Sequence, residues 1–206
     1  MEGSVRFAPD IRLTAQGLAC RRGERLLFKG LSFELRAGEA LHLTGANGTG
    51  KTTLIRTLAG LARPYAGEVG AVGALGLLDE RPALDPDLPL GRALRFWERV
   101  DGGAEREAIH ARLGLDRLHE VPVRYLSTGQ RKRAALAVLM GRGVPLWLLD
   151  EPLSGLDAGA IANVTGLIAE HVAGGGIALV ASHQPLAVPG LQSLALEDFA
   201  PREEPA

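Results

Sequence analysis

Gly45-Ala46-Asn47-Gly48-Thr49-Gly50-Lys51-Thr52-Thr53 decides the fold. It satisfies the pattern G-x-x-x-x-G-K-[ST] at every required position. The chemistry lies mostly in the backbone. Gly45, Gly48 and Gly50 permit a tight loop whose N–H groups turn inward and close on a chain of phosphates. Lys51 brings a positive charge toward the outer phosphates, and Thr52 offers a hydroxyl to a magnesium ion. Residues 40–44 read as a short buried strand just before the loop. From Thr52 onward the pattern predicts a helix whose N-terminal dipole faces the same anion. Strand, loop and helix in that order separate a phosphate-binding loop from a chance glycine-rich turn beside a lysine.

Composition bounds the rest. A chain of 206 residues is one domain, or one domain carrying an insertion, and 46% hydrophobic residues supply a core. A formal net charge of −1 gives no argument for nucleic acid or for an anionic membrane surface, and no nucleic-acid partner is expected. Cys20 is the one cysteine, so no internal disulfide can form; a small buried residue in a reducing compartment is expected. No apolar run approaches the roughly 20 residues that span a bilayer. Residues 144–149 and 177–181 are only strand-length, and the N-terminus lacks the apolar core of a secretory signal. The expectation is a cytosolic chain that meets a membrane only through a partner.

Outward from the loop, residues 1–10 read as a leader and 11–20 as a strand. Residues 21–25 form a polar turn, and 26–35 a second strand with Phe33 and Leu35 on one face. The helix after the loop stops near Gly60, a turn and short strand follow over 65–69, and 71–78 reads as a further buried strand. Residues 79–89 are dense in proline and charge and mark a boundary. Amphipathic helices are predicted over 90–100 and 104–113, a linker over 118–126, and a strong helix from there to Met140. Strands at 144–149, 177–182 and 191–196 enclose a helix at 158–172. The fold class is α/β with a mostly parallel sheet, an N-terminal antiparallel β region and a helical insertion. One domain spans 1–206, with a core of 11–79 and 141–199 and a helical subdomain over about 80–140.

Two further clusters carry chemistry. An apolar strand ends in Asp150-Glu151. An aspartate at the C-terminal end of a parallel strand beside a phosphate loop can hold magnesium through water. The adjacent glutamate can orient or deprotonate an attacking water. Leu126-Ser127-Thr128-Gly129-Gln130 precedes the helix that opens with Arg131-Lys132-Arg133. Ser127 can cap that helix, and its free N–H groups can meet an anion. Basic residues at a helix start oppose the dipole, so an anion there would relieve a local cost.

On these residues the chain resembles the nucleotide-binding subunit of an ABC transporter. Gly45 to Thr53 match the family's Walker A loop, and 146–151 its Walker B strand with the glutamate. Residues 126–130 resemble the signature LSGGQ with Thr128 in place of a glycine; 153–157 resemble the D-loop ending in Asp157; Ser182-His183 match the switch histidine. The motifs follow the family's order and cover nearly the whole chain. Stretches within 18–69, Ala93 to Phe96, and the runs 146–153 and 175–186 are also similar to the ATPase of the bacterial haem exporter of cytochrome c maturation. With only a short stretch after His183, the regulatory domain of many import ATPases is not expected.

The resemblance implies a dimer closing over two ATP molecules with Mg2+ at Thr52 and Asp150. Each ATP would lie between Gly45, Ala46, Asn47, Gly48, Thr49, Gly50, Lys51, Thr52 and Thr53 of one subunit and Ser127, Thr128, Gly129, Gln130 and Asp157 of the other. Glu151 would be the general base, and His183 would hold the γ-phosphate side. It implies integral membrane transporter subunits as partners, at the cytoplasmic face of a bacterial inner membrane. Two departures stand out. Arg81, beside Glu80, aligns where the family's Q-loop has its glutamine. Arg22 aligns where many relatives stack an aromatic ring on adenine, and a guanidinium plane can also stack on a base. Two other readings remain: a non-transport ABC protein acting on ribosomes or DNA, and a phosphate-loop kinase. The first usually carries two nucleotide domains or long coiled insertions, and the second would have no use for residues 126–130.

Overall fold

Short runs of apolar residues build the central sheet. In a computed structural model that describes residues 7–79, 82–102 and 106–201, eight strands and five α-helices form among those residues. In chain order they are β1 (Arg12–Arg22), β2 (Arg25–Arg36), β3 (Ala40–Thr44), α1 (Lys51–Leu58), β4 (Ala66–Val72) and β5 (Leu75–Leu78). Then come α2 (Leu90–Val100), α3 (Glu107–Arg112), α4 (Thr128–Gly141), β6 (Leu146–Asp150), α5 (Ala158–Ala173), β7 (Ile177–Ala181) and β8 (Gln192–Ala195).

Five strands pair in parallel in the order β5-β6-β7-β3-β8, and three pair antiparallel in the order β2-β1-β4. Every residue of β6 and β7 is buried, as a parallel sheet covered on both faces requires. Period two assigns the faces. Leu41, Leu43, Leu146, Leu148, Ile177 and Leu179 join α1 and the inner faces of β1 and β2 in one apolar cluster. Ala40, Trp147, Leu149, Ala178 and Val180 face the other way, into a cluster with residues of α2, α4 and α5. Cys20 is buried in the first cluster, with Sγ 3.5 Å from Thr57 Oγ1.

Two sequence expectations are corrected. Residues 71–78 are not one strand. Ala71 and Val72 close the exposed antiparallel β4, the chain turns at Gly73, and Leu75–Leu78 pairs in parallel with β6. Apolar composition alone could not show that one run serves two sheets. Arg21 and Arg22 lie in β1 rather than in a turn, because the hairpin tightens to Gly23-Glu24 and Arg22 pairs with Arg25. The helix expected over 104–113 appears as α3; residues 103–105 lie outside the described set, as do Glu80 and Arg81 of the altered Q-loop.

Candidate active site

Three parallel strands end together. β7 lies between β3 and β6, so the loops after all three open at the C-terminal edge of the sheet, the edge where such sheets bind ligands. The loop after β3 runs into α1 through Gly50, whose φ of 114° places it in the left-handed region. The φ favours glycine, and a Cβ there would come within 3.2 Å of the Leu27 and Phe28 side chains, which would have to give by a few tenths of an ångström. Lys51 is only 6% exposed, and its Nζ donates to the carbonyls of Gly45 at 2.6 Å and Ala46 at 3.1 Å. The ammonium is thus folded over the mouth of its own loop. Thr49 Oγ1 donates to Ala46 O at 3.0 Å and stiffens the same turn. The N–H of Ala46 donates at 2.6 Å to Glu197 Oε1, so that donor is engaged by the protein itself.

β6 delivers Asp150 and Glu151. Asp150 is 1% exposed. Glu151 has φ 48°, the one positive φ at a non-glycine among the described residues. Its carboxylate Oε1 lies 3.1 Å from Nε2 of His183, which follows β7. The histidine is half-exposed while the glutamate is largely covered. A carboxylate and an imidazole at this separation can orient a water and share its proton.

These groups border one cavity of about 610 Å³. Of the residues singled out in the sequence, Arg22, Asn47, Gly48, Gly50, Lys51, Thr52, Thr53, Thr128, Asp150, Glu151 and His183 line it. Gly45, Ala46, Thr49, Ser127, Gly129, Gln130 and Asp157 are not on its wall. Leu27, Lys132 and Ser154 also line it and were not foreseen. Arg22 is exposed at the end of β1, opposite the turn from Leu27, so this end of the cavity offers a guanidinium and an aliphatic chain.

Residues 126–133 act locally. Ser127 Oγ accepts from Gln130 N at 3.2 Å and Gln130 Oε1 accepts from Ser127 N at 2.8 Å, a reciprocal cap on α4. Gly129 stands against the loop after β6: a Cβ on it would meet Gly155 O at 2.5 Å. The basic turn meets acceptors within the chain. Arg131 donates to Leu126 O at 2.9 Å, Arg133 to Leu113 O at 2.7 Å, and Lys132 Nζ to the carbonyls of Asp150 and Glu151. These backbone carbonyls oppose the charge that the helix dipole repels. Asp157 caps α5 by accepting from Ala160 N at 2.8 Å.

The remaining histidines are structural. His42 Nε2 is 2.9 Å from Ser182 O. His171 stacks on Trp147 at 3.8 Å, and burial holds its pKa down to about 4. His110 and His119 pack edge to face. For a cation, the fitting groups are the hydroxyl of Thr52 and the carboxylate of Asp150. Together with phosphate oxygens and water they make the oxygen set that magnesium takes.

The family model described as ABC transporter matches residues 28–154, more than half of the chain. The cytochrome c biogenesis ATP-binding export protein CcmA of Novosphingobium aromaticivorans is 56% identical, over 92% of this chain and 97% of that protein. The protein of the same name from Zymomonas mobilis is 48% identical, over 92% of this chain and 86% of its own length. A solved ATP-binding subunit of an ABC transporter superposes with a TM-score of 0.73 at 25% identity, covering 83% of this chain and 79% of that one. The strand–loop–helix start, the Asp150-Glu151 strand end and the capped α4 follow one family plan, and the chain belongs to the ABC transporter family, as an ATP-binding subunit similar to the CcmA export proteins.

Proposed function

We propose that this chain hydrolyses ATP to drive export or handling of haem across a bacterial inner membrane for c-type cytochrome assembly. The observation that carries the chemistry is the shared wall of one cavity: Lys51 at the phosphate loop and the Glu151–His183 pair at 3.1 Å. The cargo is supported by the 56% identity to a cytochrome c biogenesis export protein; no group in the cavity selects for haem.

The loop N–H groups and Lys51 bind the phosphates, and the N-terminus of α1 adds its dipole. Glu151 takes the proton of the attacking water, and His183 fixes the γ-phosphate side against that carboxylate. Magnesium, held by Thr52 and Asp150, would offset charge on the β- and γ-phosphates. Two copies close on two nucleotides, each completing the other's site with Ser127, Thr128, Gly129, Gln130 and Asp157. The catalytic core comprises 11–79 and 141–199, and the helical subdomain over about 80–140 docks on integral membrane subunits. Among the described residues no helix is long and apolar enough to cross a membrane, in keeping with a peripheral subunit on the cytoplasmic face.

Affinity purification of the chain from detergent-solubilised membranes tests the assembly. Co-purification of integral subunits of a haem-handling complex supports the reading. A different permease removes the haem assignment, and ribosomal or DNA-repair partners in place of membrane subunits overturn the transport role.

A further inference from the structure

Lys132 is unusual. It is 8% exposed, borders the nucleotide cavity, and spends its ammonium on main-chain carbonyls at the end of β6. It stands one helical turn beyond Thr128, on the same face of α4, and both line the cavity. One of the two carbonyls belongs to Glu151, whose left-handed backbone is sparsely populated for a residue with a Cβ. Such a conformation persists only where its surroundings fix it. Here the N–H of Glu151 donates to Ala181 O at 2.8 Å, and its carbonyl accepts from Ser154 N at 3.2 Å and from Lys132 Nζ. Ala181 belongs to the sheet and Ser154 to the same turn. Lys132 alone of these ties the glutamate to α4.

We propose that Lys132 is a positioning residue: its ammonium clamps the carbonyls of Asp150 and Glu151, so that the placement of α4 sets where the Glu151 carboxylate points. The role rests on Glu151 being the general base. A movement of the N-terminal end of α4 within one subunit is thereby relayed to the base of that same subunit. Methionine would fill the space of the lysine stem but donate nothing, leaving the strained carbonyl with Ser154 as its remaining donor.

The test uses the assembled transporter carrying Lys132→Met, Lys132→Arg, Glu151→Gln or the Lys132→Met/Glu151→Gln pair. ATP affinity is measured by equilibrium binding and turnover by phosphate release. Lys132→Met is expected to lower kcat about 10-fold while ATP Kd changes less than about 2-fold, the pattern of a displaced catalytic group. Lys132→Arg, which keeps a long charged donor, is expected within about 3-fold of wild type. On a Glu151→Gln background, Lys132→Met is expected to add less than about 2-fold, because no base is left to position. Unchanged kcat in Lys132→Met, or the same loss with and without Glu151, overturns the proposal. So does a raised ATP Kd with unchanged kcat, which would make Lys132 a phosphate ligand. If Lys132→Met does not fold, Lys132→Gln replaces it with the same expected pattern and a smaller loss. Full turnover in Glu151→Gln overturns the base assignment and this role with it. Full turnover in Lys132→Met beside a dead Glu151→Gln overturns only the role of Lys132.

Discussion

A methyl group added at Gly129 tests how closely the first turn of α4 is packed against the loop after β6. The Cβ of Gly129→Ala would lie 2.5 Å from Gly155 O, 3.2 Å from Gly155 C and 3.1 Å from Leu156 Cδ2. Ordinary contact begins at 3.4 Å, so α4 or the loop must yield, and the nearest atom is backbone rather than a flexible side-chain tip. Overpacking costs about 1–3 kcal/mol, and a clash with backbone at 2.5 Å stands in the upper part of that range, about 2–3 kcal/mol. Alanine recovers up to about 1 kcal/mol through helix propensity. The net is a loss of about 1–2 kcal/mol, or about 2–8 °C in Tm for a chain of this size. Gly166, inside α5, supplies the matched control. A Cβ there meets nothing within 4 Å, so Gly166→Ala makes the same chemical change without the clash. It should raise Tm by about 2–4 °C. Thermal unfolding followed by circular dichroism reads both. The reasoning is refuted if Gly129→Ala melts at or above wild type while Gly166→Ala behaves as expected.

Acid should loosen the fold through His171. Its pKa is held down from 6.5 to about 4 by burial against Trp147, so the unfolded chain binds a proton at a pH where the folded chain does not. Stability is therefore lost as pH falls from about 6.5 to about 4, by an amount on the order of 3 kcal/mol. Urea titrations of wild type and His171→Gln across that window should show a shallower slope in the variant; equal slopes would remove His171 as the cause. Arg22→Ala should raise ATP Kd about 3- to 10-fold and leave kcat nearly unchanged, because the residue borders the cavity and its role is to stack on the base, not to act on the water. A fall in kcat at unchanged Kd would contradict a base-stacking role.

Much of the site could be read from consecutive residues. Ala40–Thr44, the phosphate loop and α1 form one unbroken run, and the strand was placed to the residue. The β6 strand and Asp150 were equally plain, as was the cap at Ser127. What escaped notice depends on partners distant in sequence. Ala46 meets Glu197 151 residues away, and Lys132 meets Glu151 19 residues away across a strand. From sequence the Arg131-Lys132-Arg133 turn reads as a basic helix start, and the carbonyl that each side chain meets in the folded chain is out of reach of that reading. In sequence Lys132 stands at i+4 from Thr128, on the helix face that the resemblance gives to the other subunit's nucleotide, so it does not point to β6 of its own chain. The strained backbone of Glu151 carries no signal in sequence, because glutamate is not a residue that marks positive φ.

The most direct test of the account is ATP turnover by Glu151→Gln in the assembled transporter, with ATP binding measured on the same preparation. Glutamine keeps the shape and the approach to His183 but cannot accept the water's proton. The account predicts ATP binding within about 2-fold of wild type and turnover lowered at least about 100-fold. Turnover at the wild-type rate would contradict it.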